Sequence, residues 1–165
     1  MKIRDIPQFP HASYRVNVSW QFLNNWIQDD KAILNPIYQR GYVWTEFQKI
    51  AYIEYQLRGG FSGKDIFWNS PGWLRHGSSK LELVDGKQRI RAVTEFLDNK
   101  VKAFGYYYDE FEDKLSFMNP DFVFHVNNLE TEKEVVEWYL GLNTGGSIHT
   151  AEDLKFAQDH LKSLI

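Results

Sequence analysis

Apolar residues alternate with polar ones at Tyr14, Val16 and Val18, the period of a half-buried strand, and from Trp20 to Ile27 the spacing becomes helical. Asn35-Pro36 breaks this pattern. The segment Ile37 to Trp44, IYQRGYVW, mixes polar and aromatic side chains around Gly41 and reads as a loop or short strand. Thr45-Glu46-Phe47-Gln48 has the spacing of a capping box, and Phe47, Ile50, Ala51 and Leu57 share one helical face until Gly59-Gly60 stops the helix. Asp65 to Asn69 predicts a strand, and Asn69 to Ser79 predicts a loop with Trp73 at its centre.

The apolar run Leu81 to Val84 predicts a strand that ends at Asp85-Gly86, where a helix begins at once with Ile90, Val93, Phe96 and Leu97 inward and its end near Asn99. Phe104 to Tyr108 and Phe122 to Val126 read as later strands, and the acidic stretch from Asp109 to Asp113 as a solvated turn. Thr131 with Glu134 caps a helix carrying Val135, Trp138, Tyr139 and Leu142. Asn143 to Ser147 connects it to a final helix opened by Thr150. This order of elements predicts an α+β, α/β-like fold: a single domain over residues 1–165 with a small mixed sheet flanked by helices.

Composition narrows the function classes. With 43% hydrophobic and 16% aromatic residues among 165, the chain can bury a core. A net charge of −3 removes the global electrostatic footprint of a strongly DNA-binding protein, so any nucleic-acid contact is expected at a local patch. The absence of cysteine excludes disulfides, zinc ribbons and thiol catalysis. No signal-peptide core and no run near the roughly 20 apolar residues of a membrane span is visible, so a cytoplasmic protein without membrane partners is expected. The five histidines show no metal-ligand spacing and read as surface or satisfied core residues.

The segment VDGKQRIRAV, Val84 to Val93, carries the densest chemistry. The first N–H groups of a helix lack intrahelical partners and bear partial positive charge, so the helix start at Gly86 suits a phosphate. Gly86 allows close approach to the backbone, and Lys87 and Arg89 in the first turn point back toward the same spot. The structural alternative makes Asp85 a turn or N-cap residue, and Arg89 and Arg91 surface ion-pair partners. In IYQRGYVW, Gln39 and Arg40 offer planar donors for phosphate or base edges, while Tyr38, Tyr42 and Trp44 offer faces for stacking. The alternative there is a buried aromatic joint.

Together, NPIYQRGYVWTEFQ, VDGKQRIRAVTEFL, FVFHV and a late LNTGG resemble the N-terminal domain family of GmrSD-type modification-dependent restriction endonucleases. Its hallmark pairs a YQR-x-Y-x-W segment, matched by Tyr38, Gln39, Arg40, Tyr42 and Trp44, with a DGQQR segment, matched by Asp85, Gly86, Gln88 and Arg89. Lys87 stands where the hallmark has Gln. The family falls in the ParB/sulfiredoxin-like superfamily, and Gly86 to Arg89 with Arg91-Ala92 also looks like the phosphate-contacting GERR-x-RA motif of ParB. The resemblance runs from about Tyr14 to about Phe156.

The resemblance implies a ParB-like domain that binds a nucleoside triphosphate, with hydrolysis left open, in DNA transactions or phage and host defence. The HNH nuclease domain of full-length restriction members has no counterpart here, so autonomous restriction is not expected. On this reading Lys87 and Arg89 neutralise phosphate charge at Gly86, Gln39 and Arg40 close the site, and Tyr42 or Trp44 holds the base. Asp85 holds Mg²⁺, directly or through water, or orients an attacking water, so that Asp85, Gln88 and Arg89 are the catalytic candidates. Arg91 and, from the Gly-rich segment, Asn143 complete the nucleotide-binding candidates. Two alternatives stay open. One is a non-catalytic module of phage or mobile-element origin that grips DNA or a protein partner. The other is a Mg²⁺-dependent nuclease built on Asp65 with Asp85-Gly86-Lys87.

Overall fold

The structure, a computed structural model, describes residues 5–6, 14–73, 80–113, 120–144 and 151–165. Five strands form one mixed sheet: β1 (Tyr14–Ser19), β2 (Ala32–Ile33), β3 (Asp65–Asn69), β4 (Leu81–Asp85) and β5 (Asp121–Asn127). The order is β1-β5-β3-β4-β2, with β1/β5 and β3/β4 antiparallel and β3/β5 and β4/β2 parallel. Among the described residues five α-helices accompany it: α1 (Trp20–Gln28), α2 (Glu46–Leu57), α3 (Lys87–Leu97), α4 (Glu132–Thr144) and α5 (Ala151–Ser163). The fold is therefore α+β with a mixed sheet, as the alternation of elements predicts.

Strand alternation sorts the core into two clusters, one on each face of the sheet. Ile66 and Trp68 of β3, Leu83 of β4 and Phe122 and Phe124 of β5 pack with Trp20 and Leu23 of α1, Ile53 of α2 and the inward face of α3. Phe67 and Val84 point the other way, into a cluster with Val135, Trp138 and Tyr139 of α4 and Ala157 of α5. Because helices cover both faces, the central strands are apolar on both sides, which explains the near-continuous run in LELV.

The local signals account for most element ends. Ser19 accepts from the N–H of Phe22 to open α1, and the Thr45/Gln48 capping box opens α2. Thr131 and Glu134 exchange the equivalent bonds before α4. The opening of α5 at Thr150 lies outside the described residues, as does the loop beyond Trp73 up to 79.

Three expectations are corrected. Phe104 to Tyr108 is not a strand: Ala103 and Tyr106 close a tight turn with paired 2.9 Å backbone bonds, and Phe104 and Gly105 both have positive φ. A short 3₁₀ turn, Tyr108–Glu110, follows. Aromatic content suggested a strand, but Gly105 admits the left-handed turn, and Phe104 sits against the Arg58 guanidinium rather than in the core. On α2 the buried face is Ile50, Ile53 and Leu57, and Phe47 is exposed, so the helix is rotated from its expected orientation. Asn143 belongs to the last turn of α4 and not to a connection. No helix among the described residues is long and apolar enough to cross a membrane.

Candidate functional site

A register shift in the sheet builds the site. Trp68 pairs with Leu83 but Phe67 pairs with Asp85, so Val84 is the extra residue of a β-bulge in β4. Residues directly paired across strands share a face, so the bulge turns Asp85 to the side of Phe67 and of α4, where regular alternation would have placed it opposite. Gly86 follows as the N-cap of α3 with φ 109° and no side-chain cap. The first N–H groups of α3 therefore open onto a cleft of about 410 Å³, within the range of small-molecule sites.

The cleft is cationic. Arg40, Lys87 and Arg89 line it against one carboxylate, Asp85. Arg89 donates to Asp85 at 2.8 Å, one helical turn apart, with about a fifth to a quarter of each side chain exposed. The Lys87 ammonium is buried, donates to the carbonyl of Arg40 at 2.9 Å and lies 5.0 Å from the centre of the Tyr42 ring. Burial pulls its pKa below the ordinary lysine range. Trp44 and Tyr52, 5.4 Å apart between ring centres, and Tyr139 from α4 supply aromatic wall.

The two predicted motifs are brought together, and much of their polar chemistry joins one to the other. Gln39 donates its amide to the carbonyls of Leu83 and Val84 at 2.5 and 2.8 Å. Gln88 accepts from the N–H groups of Val43 and Trp44 and donates to the carbonyl of Gly41, all within 3.1 to 3.2 Å. Arg91 stacks its guanidinium 4.1 Å from the Tyr42 ring centre. Tyr38 is buried between Tyr139 and His160 and donates to Glu82 at 2.7 Å, and burial with that carboxylate pushes its pKa far up. Gln39 and Gln88 thus act as surrogate backbone, and Tyr42 presents its ring to protein cations.

Several sequence expectations look different in this geometry. Gly86 is required by the fold itself, since a Cβ there would meet Ile66 Cδ1 at 2.5 Å. Tyr42 and Arg91 flank the cleft without lining it, whereas Trp44 lines it. Asn143 is buried with its amide donated to the Tyr139 carbonyl, away from the lining. Tyr52, Gly63 and Tyr139 are lining residues that pattern reading assigned to helix faces or passed over. Tyr139 was detectable only as an inward residue of its helix.

Asp65 bonds His125 at 2.6 Å across β3/β5, and no group of three His, Cys, Asp or Glu residues suited to a metal occurs among the described residues. A second described histidine, His160, meets Glu132 at 2.9 Å. One carboxylate cannot cage Mg²⁺, which binds through one or two carboxylates when a ligand's phosphates supply further oxygens. Asp85 fits that role and no more.

The family model for the N-terminal domain of GmrSD restriction endonuclease matches residues 22–158, which include both motifs. No curated protein and no solved structure matches the chain.

Proposed function

The chain belongs to the N-terminal domain family of GmrSD restriction endonucleases, and from that premise we propose that it binds a nucleoside triphosphate in the cleft at the start of α3, as part of a DNA-restriction or defence activity. The observation that carries this reading is the convergence of Arg40, Lys87 and Arg89 on an uncapped helix N-terminus. Burial lowers the Lys87 pKa, and an anionic ligand beside it would favour the charged form. Arg89 and Lys87 take phosphate oxygens, Arg40 closes the outer side, and Trp44 with Tyr139 presents faces to the base. Mg²⁺, when bound with the nucleotide, would neutralise phosphate charge beside Asp85.

The Gln88 carboxamide is engaged at both its oxygen and its nitrogen by the 41–44 backbone, which leaves Asp85 as the cleft residue to orient a water if the nucleotide is hydrolysed. A ParB-like nucleotide switch for a DNA or protein partner fits that arrangement.

A thermal-shift panel of ATP, GTP, CTP and their deoxy forms, with and without Mg²⁺, tests the reading. At a ligand concentration 100 times Kd the wild type should gain about 2.7 kcal/mol, a rise of roughly 5–10 °C for a domain of this size. Arg89→Ala should abolish the rise. If no nucleotide moves the wild-type midpoint, the proposal is wrong; phosphate release on incubation would replace binding alone by hydrolysis.

A further inference from the structure

Resting on the nucleotide reading above, we infer that the Asp85–Arg89 ion pair is a displaceable latch through which the cleft selects a metal-chelated polyphosphate. The two charges satisfy each other at 2.8 Å, while Lys87 is held by a carbonyl and a ring and meets no carboxylate among the described residues. A phosphate entering at the helix start recruits Arg89, which lies in the first turn of α3 and faces Asp85. Recruitment leaves Asp85, three-quarters buried, without its counter-ion beside a highly charged anion. Two negative groups at close range in a partly desolvated cleft repel strongly. A divalent cation shared between Asp85 and the phosphates removes that repulsion, and the ligand supplies the oxygens that the protein lacks.

The consequence is an ordered dependence. The protein alone has no metal cage among its described residues, so the cation arrives with the polyphosphate. A monophosphate or a DNA phosphodiester chelates the cation poorly and leaves the displaced carboxylate uncompensated. The cleft therefore discriminates by chelation as well as by charge. In a purely cationic cleft the opposite rule holds: Mg²⁺ would cancel ligand charge and weaken binding. The sign of the Mg²⁺ effect thus reads whether Asp85 takes part.

Calorimetric titration of the full chain with ATP, GTP and CTP, with Mg²⁺ and with EDTA, provides the test. Wild type should bind at least one of them about tenfold or more tightly with Mg²⁺. Asp85→Asn, which keeps shape and removes charge, should bind the same nucleotide as well or better in EDTA and lose the Mg²⁺ enhancement. Mn²⁺ paramagnetic resonance gives an independent measurement on the wild type: the ion should stay free without nucleotide and become immobilised with it. Nucleotide affinity that is equal or weaker with Mg²⁺ in the wild type overturns the latch while leaving nucleotide binding intact. Mn²⁺ immobilised without nucleotide overturns it too, as does an undiminished Mg²⁺ enhancement in a folded Asp85→Asn protein. Absence of binding by every nucleotide instead removes the underlying reading, and the latch with it.

Discussion

A methyl group at position 86 would collide with Ile66 and would also force an L-residue to φ 109°, two independent penalties at one atom. Gly86→Ala is expected to lower stability by about 2–3 kcal/mol, read as a drop in the urea midpoint without a change in slope. The sequence reading assigned this glycine to ligand approach. The reason it is needed lies instead in β3, a contact twenty residues distant that no local pattern encodes. Lys87 is the reverse case, a charged residue of the lining that the fold holds with little solvent exposure. Its ammonium is buried against a carbonyl and a ring, a stabilising arrangement only in part, and its charge faces the space where an anion would sit.

At the scale of elements, the cleft is a joint between the 38–44 segment and the start of α3. Gln88 supplies three of the hydrogen bonds across it, so Gln88→Ala should cost about 1–2 kcal/mol. Amide exchange should rise at Val43 and Trp44 while the strands stay protected, and uniform protection at those two amides would contradict this assignment. Strand and helix identities were largely legible because capping boxes at Thr45 and Thr131 and the alternation in β1 are local signals. The 103–106 turn was not, because Phe104, Tyr106 and Tyr107 carry strand-like composition while glycine geometry decides the backbone. The site was half legible. Both motifs could be paired on the page, but the bulge at Val84, which turns Asp85 into the cleft, leaves no mark in the residue pattern. Tyr52 and Tyr139 were hidden for a related reason: a helix face can serve a core and a cleft at once.

Across the whole molecule, ion pairs and charged hydrogen bonds reinforce elements that already pack together. Glu95 of α3 receives hydrogen bonds from Lys49 of α2 and Arg91 of its own helix. Burial pushes its pKa up, but those two cations outweigh it and hold the carboxyl below the ordinary range. Asp121 behaves likewise between Lys64 and Asn17, linking β5 to the start of β3 and to β1. A carboxylate with a lowered folded pKa gives stability above its unfolded pKa that is lost as pH falls through the folded one. The melting temperature should therefore decline as pH drops below about 4.5, the unfolded glutamate value. Glu95→Gln should start lower at neutral pH and show a shallower decline; a parallel curve would remove Glu95 from the account.

The amide of Gln39 has one more effect at this scale. β2 pairs with Leu81 and Glu82 of β4, and the carbonyls that follow, of Leu83 and Val84, accept from the Gln39 side chain. An uncovered strand margin invites a strand from another molecule. Gln39 thus caps the margin of β4 that continues past β2, and Gln39→Ala is expected to open that margin to pairing with another chain.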